Sequence, residues 1–319
     1  MSPLLMIQTN LKYPMKPIIE IRDLSKKFRR KVAIDGVHLE VPEGSIMAFL
    51  GPNGAGKTTT IKCMLNLHTP NRGTVQVLGK DSRHLGPQEF QQIGYVSENQ
   101  ELPLWMTVQQ YLDFCRPMYP TWDVPFCERM VKSFDLPLSS KLKSLSRGMR
   151  MKAALLSSLV YRPRLVILDE PFSGLDPLVR EEFIRGLLEL TEEEGWTVFV
   201  SSHDIEEVER LADRVAVIAD GRIQLHESAI ELQERFRQVE ISLPDDKPLT
   251  CTLPKEWLQV EHSGRALRFV DAHFDEHKLT ATLSTLLPGT KLLQTSAMSL
   301  RNIFIALART YRMPSNHSN

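Results

Sequence analysis

Two hydrophobic rhythms alternate along the chain, short apolar or period-two runs and longer stretches with helical spacing. Ile18–Arg22 is a short β-branched strand, and Val37–Val41 alternates apolar with polar residues, as a half-buried strand does. Ile46–Leu50 and Leu165–Leu168 are apolar throughout, which predicts strands covered on both faces. Thr197–Val200 reads as a further strand. Thr69–Gly73 breaks the helical pattern that ends at Leu67, and TVQVLG opens the next strand. Residues 106 to 162 read as mostly helical, with turns at MYPTWD and DLPLSS. The run DIEEVERLA from Asp204 reads as a helix, with Asp204 favouring its N-terminus. Arg214–His226 reads as two strands around Asp220 and Gly221, a strong hairpin signal. Alternating strands and helices, with a helical insertion, predict a mainly parallel α/β sheet.

From about Ser228 the rhythm changes. ELQERFRQ is helical, VEISL, LTCTL and RALRFVDA are strand-like, residues 276 to 287 are helical, KLLQTSA is strand-like, and LRNIFIALART is an amphipathic helix. This predicts a small α+β domain over residues 229–319, appended to a larger unit over residues 17–228. Residues 1–16 read as a disordered tail or a misassigned start, with Met15 opening a natural beginning. No apolar stretch reaches the ~18–20 residues needed to span a bilayer.

Composition narrows the functional classes. Lys plus Arg and Asp plus Glu both number 39, so the formal charge is zero and a broad nucleic-acid face is not expected. Cys63, Cys115, Cys127 and Cys251 form no C-x-x-C pair, which argues for reduced thiols and against a zinc site.

The chemistry begins directly after the strand Ile46–Leu50. Gly51, Gly56, Lys57 and Thr58 fit the G-x-x-x-x-G-K-[ST] phosphate loop, set between a buried strand and a helix. Glycines let backbone amides turn toward a polyphosphate without Cβ clashes. Lys57 is placed to reach the β and γ oxygens, and the Thr58 hydroxyl to ligate Mg²⁺. Leu165–Leu168 ends in Asp169 and Glu170, a metal-shell acid followed by a candidate general base. A kinase, a GTPase or a DNA-repair ATPase shares all of this. The run LSRGM adds Ser146 and Gly148 at a helix start, a second anion site that suggests face-to-face pairing of two chains.

GPNGAGKTT (51–59), LSRGM (145–149), LVILDE (165–170), SGLD (173–176) and SSH (201–203), in this order, resemble the ATP-binding subunits of ABC transporters over about residues 17–228. Within that family, MYPTWD, LSRGM, LDEPFSGLDP and the added C-terminal domain look most like bacterial ATPases that serve ABC-2-type exporters. The resemblance implies a P-loop NTPase fold with a helical subdomain at about residues 100–162. It implies ATP held by Phe28 on the adenine and by Gly51, Pro52, Asn53, Gly54, Ala55, Gly56, Lys57, Thr58 and Thr59. Glu170 and His203 would be catalytic, and Mg²⁺ would be held by Thr58, Asp169 and Glu98. Leu145, Ser146, Arg147, Gly148 and Met149 would face the nucleotide of the opposite subunit, with Asp176 at the dimer interface.

The implied partners are a second ABC ATPase, identical or related, and an integral membrane permease, placing the chain at the cytoplasmic face of the membrane. Two motifs depart from the family pattern. Arg147 and Met149 replace the Gly and Gln of LSGGQ, and Glu98 stands where a glutamine usually follows the IGY run, with Gln100 two residues on as a less natural match. Residues 99–122 would face the permease, with Leu102, Leu104, Trp105 and Met106 either touching it or packing the insertion internally. Phe28 has a plainer alternative as a core phenylalanine. A soluble ABC-type ATPase and a generic P-loop kinase are the competing readings. The C-terminal domain is expected to regulate or to dimerise.

Overall fold

The computed structural model describes residues 17–29, 31–245 and 251–311; the expected tail at 1–16 lies outside them. Three sheets organise these residues. The first is antiparallel, ordered β2-β1-β4-β5, from β1 (Pro17–Phe28), β2 (Lys31–Pro42), β4 (Arg72–Val77) and β5 (Lys80–Asp81). The second runs β10-β9-β3-β8-β7-β6. Its strands are β3 (Ile46–Leu50), β6 (Ile93–Ser97), β7 (Leu165–Asp169), β8 (Thr197–Ser202), β9 (Arg214–Ala219) and β10 (Arg222–Ser228). All its pairings are parallel except the β9–β10 hairpin. The third is antiparallel, β12-β13-β11-β14, from β11 (Arg237–Ser242), β12 (Trp257–Ser263), β13 (Ala266–Asp271) and β14 (Lys291–Ala297).

Every residue of β3, β7 and β8 is buried, which explains their unbroken apolar runs. Their side chains still alternate. Ile46, Ala48 and Leu50 face one core, and Met47 and Phe49 face the other. The second core lies between the first and second sheets and takes in α1 (Lys57–Met64). The first is filled largely by helices. Among the helices, α2 (Pro87–Phe90) precedes β6, followed by α3 (Val108–Cys115), α4 (Val124–Ser133) and α5 (Arg147–Leu159) of the insertion. The long α6 (Pro177–Glu194) adds Phe183 and Leu187 to the same core. Because β3, β7 and β8 run parallel, the residues that follow them meet at one edge of the sheet.

The mainly parallel prediction holds for the second sheet, but the antiparallel sheet of β1, β2 and β4 was not foreseen. Strand β1 continues from Ile18–Arg22 to Phe28 through register shifts, with Asp23 at φ 50°. The helix expected from Asp204 is only a 3₁₀ turn, Ile205–Glu207. Glu207 is drawn inward by Ser202 Oγ at 2.5 Å and by Arg180 at 3.5 Å. The chain then leaves helical geometry at Val208, where φ is −122°.

In the C-terminal part, α7 (Ala229–Arg235) leads into the third sheet, and α8 (Glu276–Leu286) covers it through Leu279 and Leu283. Trp257 stacks on Phe269 at 4.0 Å in this core. Of the expected LTCTL strand, Leu249 and Thr250 lie outside the described residues, and Cys251–Leu253 are not a strand. The strand on this edge is β12, which pairs with β13. A register shift around Gln259, at φ 48°, disturbs the alternation that would reveal it in sequence. The last helix, α9 (Leu300–Tyr311), leaves this sheet's core. Leu300, Ile303 and Ala306 join the larger core beside Ile205 and Leu232.

Candidate nucleotide site

The loop after β3 is shaped by positions where only glycine fits. A Cβ on Gly51 would lie 2.2 Å from the Ile218 carbonyl oxygen. Gly56 has φ +113°, and its Cβ would lie 2.6 Å from the Ala33 carbonyl oxygen. Gly56 also leads into α1 with no side-chain cap, so the first amides of the helix stay available to an anion. Pro52, Asn53, Gly54 and Thr58 are exposed, Ala55 is buried and Thr59 is half-buried. Lys57 is only 5% exposed. Its Nζ donates to Gly51 O at 2.5 Å and Pro52 O at 3.3 Å, and lies 3.0 Å from Glu170 Oε1.

The acids at the end of β7 are equally constrained. Asp169 Oδ1 accepts from Thr58 Oγ1 at 3.1 Å and Ser201 Oγ at 2.7 Å. Burial, opposed by these two bonds, raises the Asp169 pKa above the ordinary carboxylate value. Glu170 has φ 55°, a left-handed conformation that costs a non-glycine residue about 1–3 kcal/mol. Its backbone N–H donates to the Ser201 carbonyl at 3.2 Å and to Ser201 Oγ at 3.0 Å, which holds the bend. Glu170 Oε2 lies 2.8 Å from His203 Nδ1. Its Oε1 is buried and accepts no aligned hydrogen bond. Ser201 stands within SSH, where the sequence alone gives it no role. Its register opposite Asp169 in the β7–β8 pair is the signal that identifies it.

The donors suit Mg²⁺. Thr58 and Asp169 offer hard oxygens 3.1 Å apart, and among the described residues no cluster of three His, Cys, Asp or Glu side chains forms a protein-only cage. Mg²⁺ needs only one or two protein oxygens when phosphate and water supply the rest. Glu98 is tied to this edge, its backbone N–H donating to Asp169 O at 2.8 Å. Its carboxylate turns to Ser173 Oγ at 2.6 Å and Arg147 Nη2 at 3.2 Å.

The LSRGM segment is built as a helix start. Ser146 caps α5 by accepting from Met149 N at 3.2 Å. Ser146 and Arg147 are exposed, Met149 is half-buried, and Leu145 is buried. Gly148 is buried as well, and a Cβ there would lie 2.8 Å from Val179 of α6. The absence of a side chain there lets α5 pack closely against α6. Asp176 is exposed and caps α6, accepting from Val179 N at 3.0 Å.

Phe28 is 41% exposed, so it is not a core phenylalanine. Its ring meets His68 edge-on at 5.2 Å, with Lys26 Nζ 5.0 Å from its centroid. Of the four candidates in the 99–122 segment, Leu104 and Trp105 are exposed. Met106 is buried and Leu102 packs against the helical core, which removes both as free contact residues.

The ABC transporter family matches residues 34–173. The chain is similar to the uncharacterized ABC transporter ATP-binding protein YhcH of Bacillus subtilis, with 34% identity over 211 residues, 66% of this chain and 69% of that protein. It is 30% identical over 236 residues to the bacitracin transport ATP-binding protein BcrA of Enterococcus faecalis, covering 73% of this chain and 77% of that one. Among solved structures it resembles an ATP binding subunit of an ABC transporter, with TM-score 0.62 and 27% identity over 68% of this chain and 92% of the other. It also resembles cbiO1 of Clostridium perfringens, described as part of the cbiONQ transporter complex, with TM-score 0.58 and 26% identity, covering 66% and 88%.

Proposed function

The chain belongs to the ABC transporter ATP-binding proteins and is an ATPase, and from that premise we propose that it is the motor subunit of an exporter. Two copies, or this chain and a related one, close on two Mg-ATP and drive a separate integral membrane permease from the cytoplasmic face. The observation that carries the hydrolytic part is Glu170, set 3.0 Å from Lys57 and 2.8 Å from His203 beside Asp169.

The roles follow from position. Lys57, now on the loop carbonyls, turns to the β and γ oxygens when ATP enters. Gly51–Thr59 presents amides to the phosphates, and Phe28 offers its open ring to adenine. Mg²⁺ held by Thr58, Asp169 and Glu98 would offset charge on the transferred phosphoryl group. Glu170 takes the proton of the attacking water, its unaligned Oε1 being the acceptor. His203 holds the other carboxylate oxygen and contacts the γ-phosphate. Ser146, Arg147 and Gly148 address the nucleotide of the opposite subunit, and Asp176 lies between the two.

A transport role is supported by the likeness to the bacitracin transport protein. A separate permease is supported because no helix among the described residues is long and apolar enough to cross a membrane. Leu104 and Trp105, 45% and 69% exposed, supply an apolar contact for it. The division at 228/229 is part of the same proposal, with residues 229–319 regulating or dimerising the motor. The test is purification from membranes. Co-isolation with a polytopic partner that stimulates ATP hydrolysis is expected; recovery of an ATPase with no membrane partner favours a soluble role.

A further inference from the structure

Two of the three positions that depart from the family pattern, Glu98 and Arg147, meet in this structure. Glu98 follows β6, Arg147 opens α5 of the helical insertion, and Ser173 and Gly174 follow β7. Arg147 Nη2 lies 3.2 Å from Glu98 Oε1, and Ser173 Oγ donates to the same oxygen at 2.6 Å. Gly174, at φ +67°, makes room for the guanidinium: a Cβ there would lie 2.7 Å from Arg147 Nη1 and 2.9 Å from Cζ. Three loops from different parts of the chain thus converge on one carboxylate. The usual family residues cannot form this ion pair, since glycine has no side chain and glutamine no charge.

Glu98 cannot serve two cations equally. Its backbone N–H donates to the Asp169 carbonyl, so residue 98 lies at the sheet edge where the metal is expected, while its carboxylate rests on Ser173 and Arg147. A guanidinium and a divalent ion compete for the same electron-rich oxygens. We infer that Arg147 and Glu98 form an exchangeable clasp, closed by Arg147 before nucleotide arrives and opened when Mg²⁺ with ATP claims Glu98. Arg147 is then a positioning residue for Glu98, and its release frees the α5 start to address the opposite subunit. Ser173 keeps the carboxylate oriented through the exchange. The inference rests on the reading that Glu98 faces the metal.

The test measures binding without turnover. A non-hydrolysable ATP analogue is titrated in Mg²⁺ and in EDTA, and the ratio of the two affinities gives the metal's contribution. Both clasp residues are partly exposed, with side chains 34% and 49% accessible, so solvent screening keeps the effect modest. Arg147→Gln is expected to raise the ratio about two- to fivefold, the scale of an exposed ion pair. Glu98→Gln lowers it, and adding Arg147→Gln to Glu98→Gln changes nothing further. Arg147→Lys, which keeps the charge, stays near the parent value.

An unchanged ratio in Arg147→Gln overturns the clasp. So does an equal rise in the Glu98→Gln background, because Arg147 would then act through its general field. Loss of analogue binding in EDTA by Arg147→Gln also overturns it, making Arg147 part of the scaffold. Failure of the parent protein to bind the analogue under either condition would instead refute the ATPase reading itself.

Discussion

The acidic end of β7 and the start of α5 are built on different physics. At the first, Lys57, Asp169 and Glu170 are 5%, 4% and 8% exposed, and each is held by partners from its own chain. The backbone at Glu170 is bent into the left-handed region and pinned there by Ser201. At the second, Ser146 and Arg147 stand in solvent, held by one helix cap and one ion pair. A buried, strained cluster is set before substrate arrives. An exposed helix start is a surface still to be covered. On the proposed reading, one chain therefore holds a nearly complete hydrolytic half and an open recognition half.

The sharpest way to break the comparison is at Glu170. Glu170→Gln is expected to cut turnover by about 10²–10⁴-fold, the range for losing a general base, while binding Mg-ATP. Parent-level hydrolysis in a steady-state phosphate assay removes the base assignment.

Acid should act on the buried side. His226 lies on β10, at the edge of the sheet that carries the site, and its Nε2 is buried without a partner. Burial, and then Arg214, lower its pKa from 6.5 to about 4. The folded protein keeps His226 neutral while the unfolded chain protonates it. Stability is therefore intact above pH 6.5 and falls as pH drops toward 4, by on the order of 3 kcal/mol in total. His226→Gln should flatten that part of the stability–pH curve measured by urea unfolding. An unaltered slope contradicts the assignment.

The smallest effect belongs to the open half. Ser146→Ala removes the α5 cap and should cost about 1 kcal/mol of stability. ATP binding to the single chain is expected to stay at the parent level. A large loss of that binding would place Ser146 in its own chain's site and erase the contrast.

How much of this was legible follows the same division. The apolar runs of β3 and β7 named the sheet's centre because burial on both faces leaves no polar alternation. Gly51, Gly56 and Lys57 were legible because close backbone approach and phosphate charge demand those residue types in that spacing. The role of Ser201 was not, since it depends on register between β7 and β8. The Glu98–Arg147 pair joins positions 49 residues apart, and each stood in sequence as an isolated departure. The misread helix from Asp204 failed because Glu207 is buried against the nearby Ser202 and against Arg180, which is distant in the chain. The return of α9 to the main core was hidden for a like reason. An amphipathic pattern says that a face is covered, not by what.

The central claim is that the open half is closed by another copy or a related chain. The most direct measurement is the solution mass of Glu170→Gln with Mg-ATP, by light scattering, paired with bound nucleotide per chain. The account predicts a monomer in EDTA and a dimer holding one ATP per chain in Mg-ATP, reverting when Ser146→Arg is added. A monomer saturated with Mg-ATP, with no dimer at any protein concentration and no related chain that restores one, would contradict it.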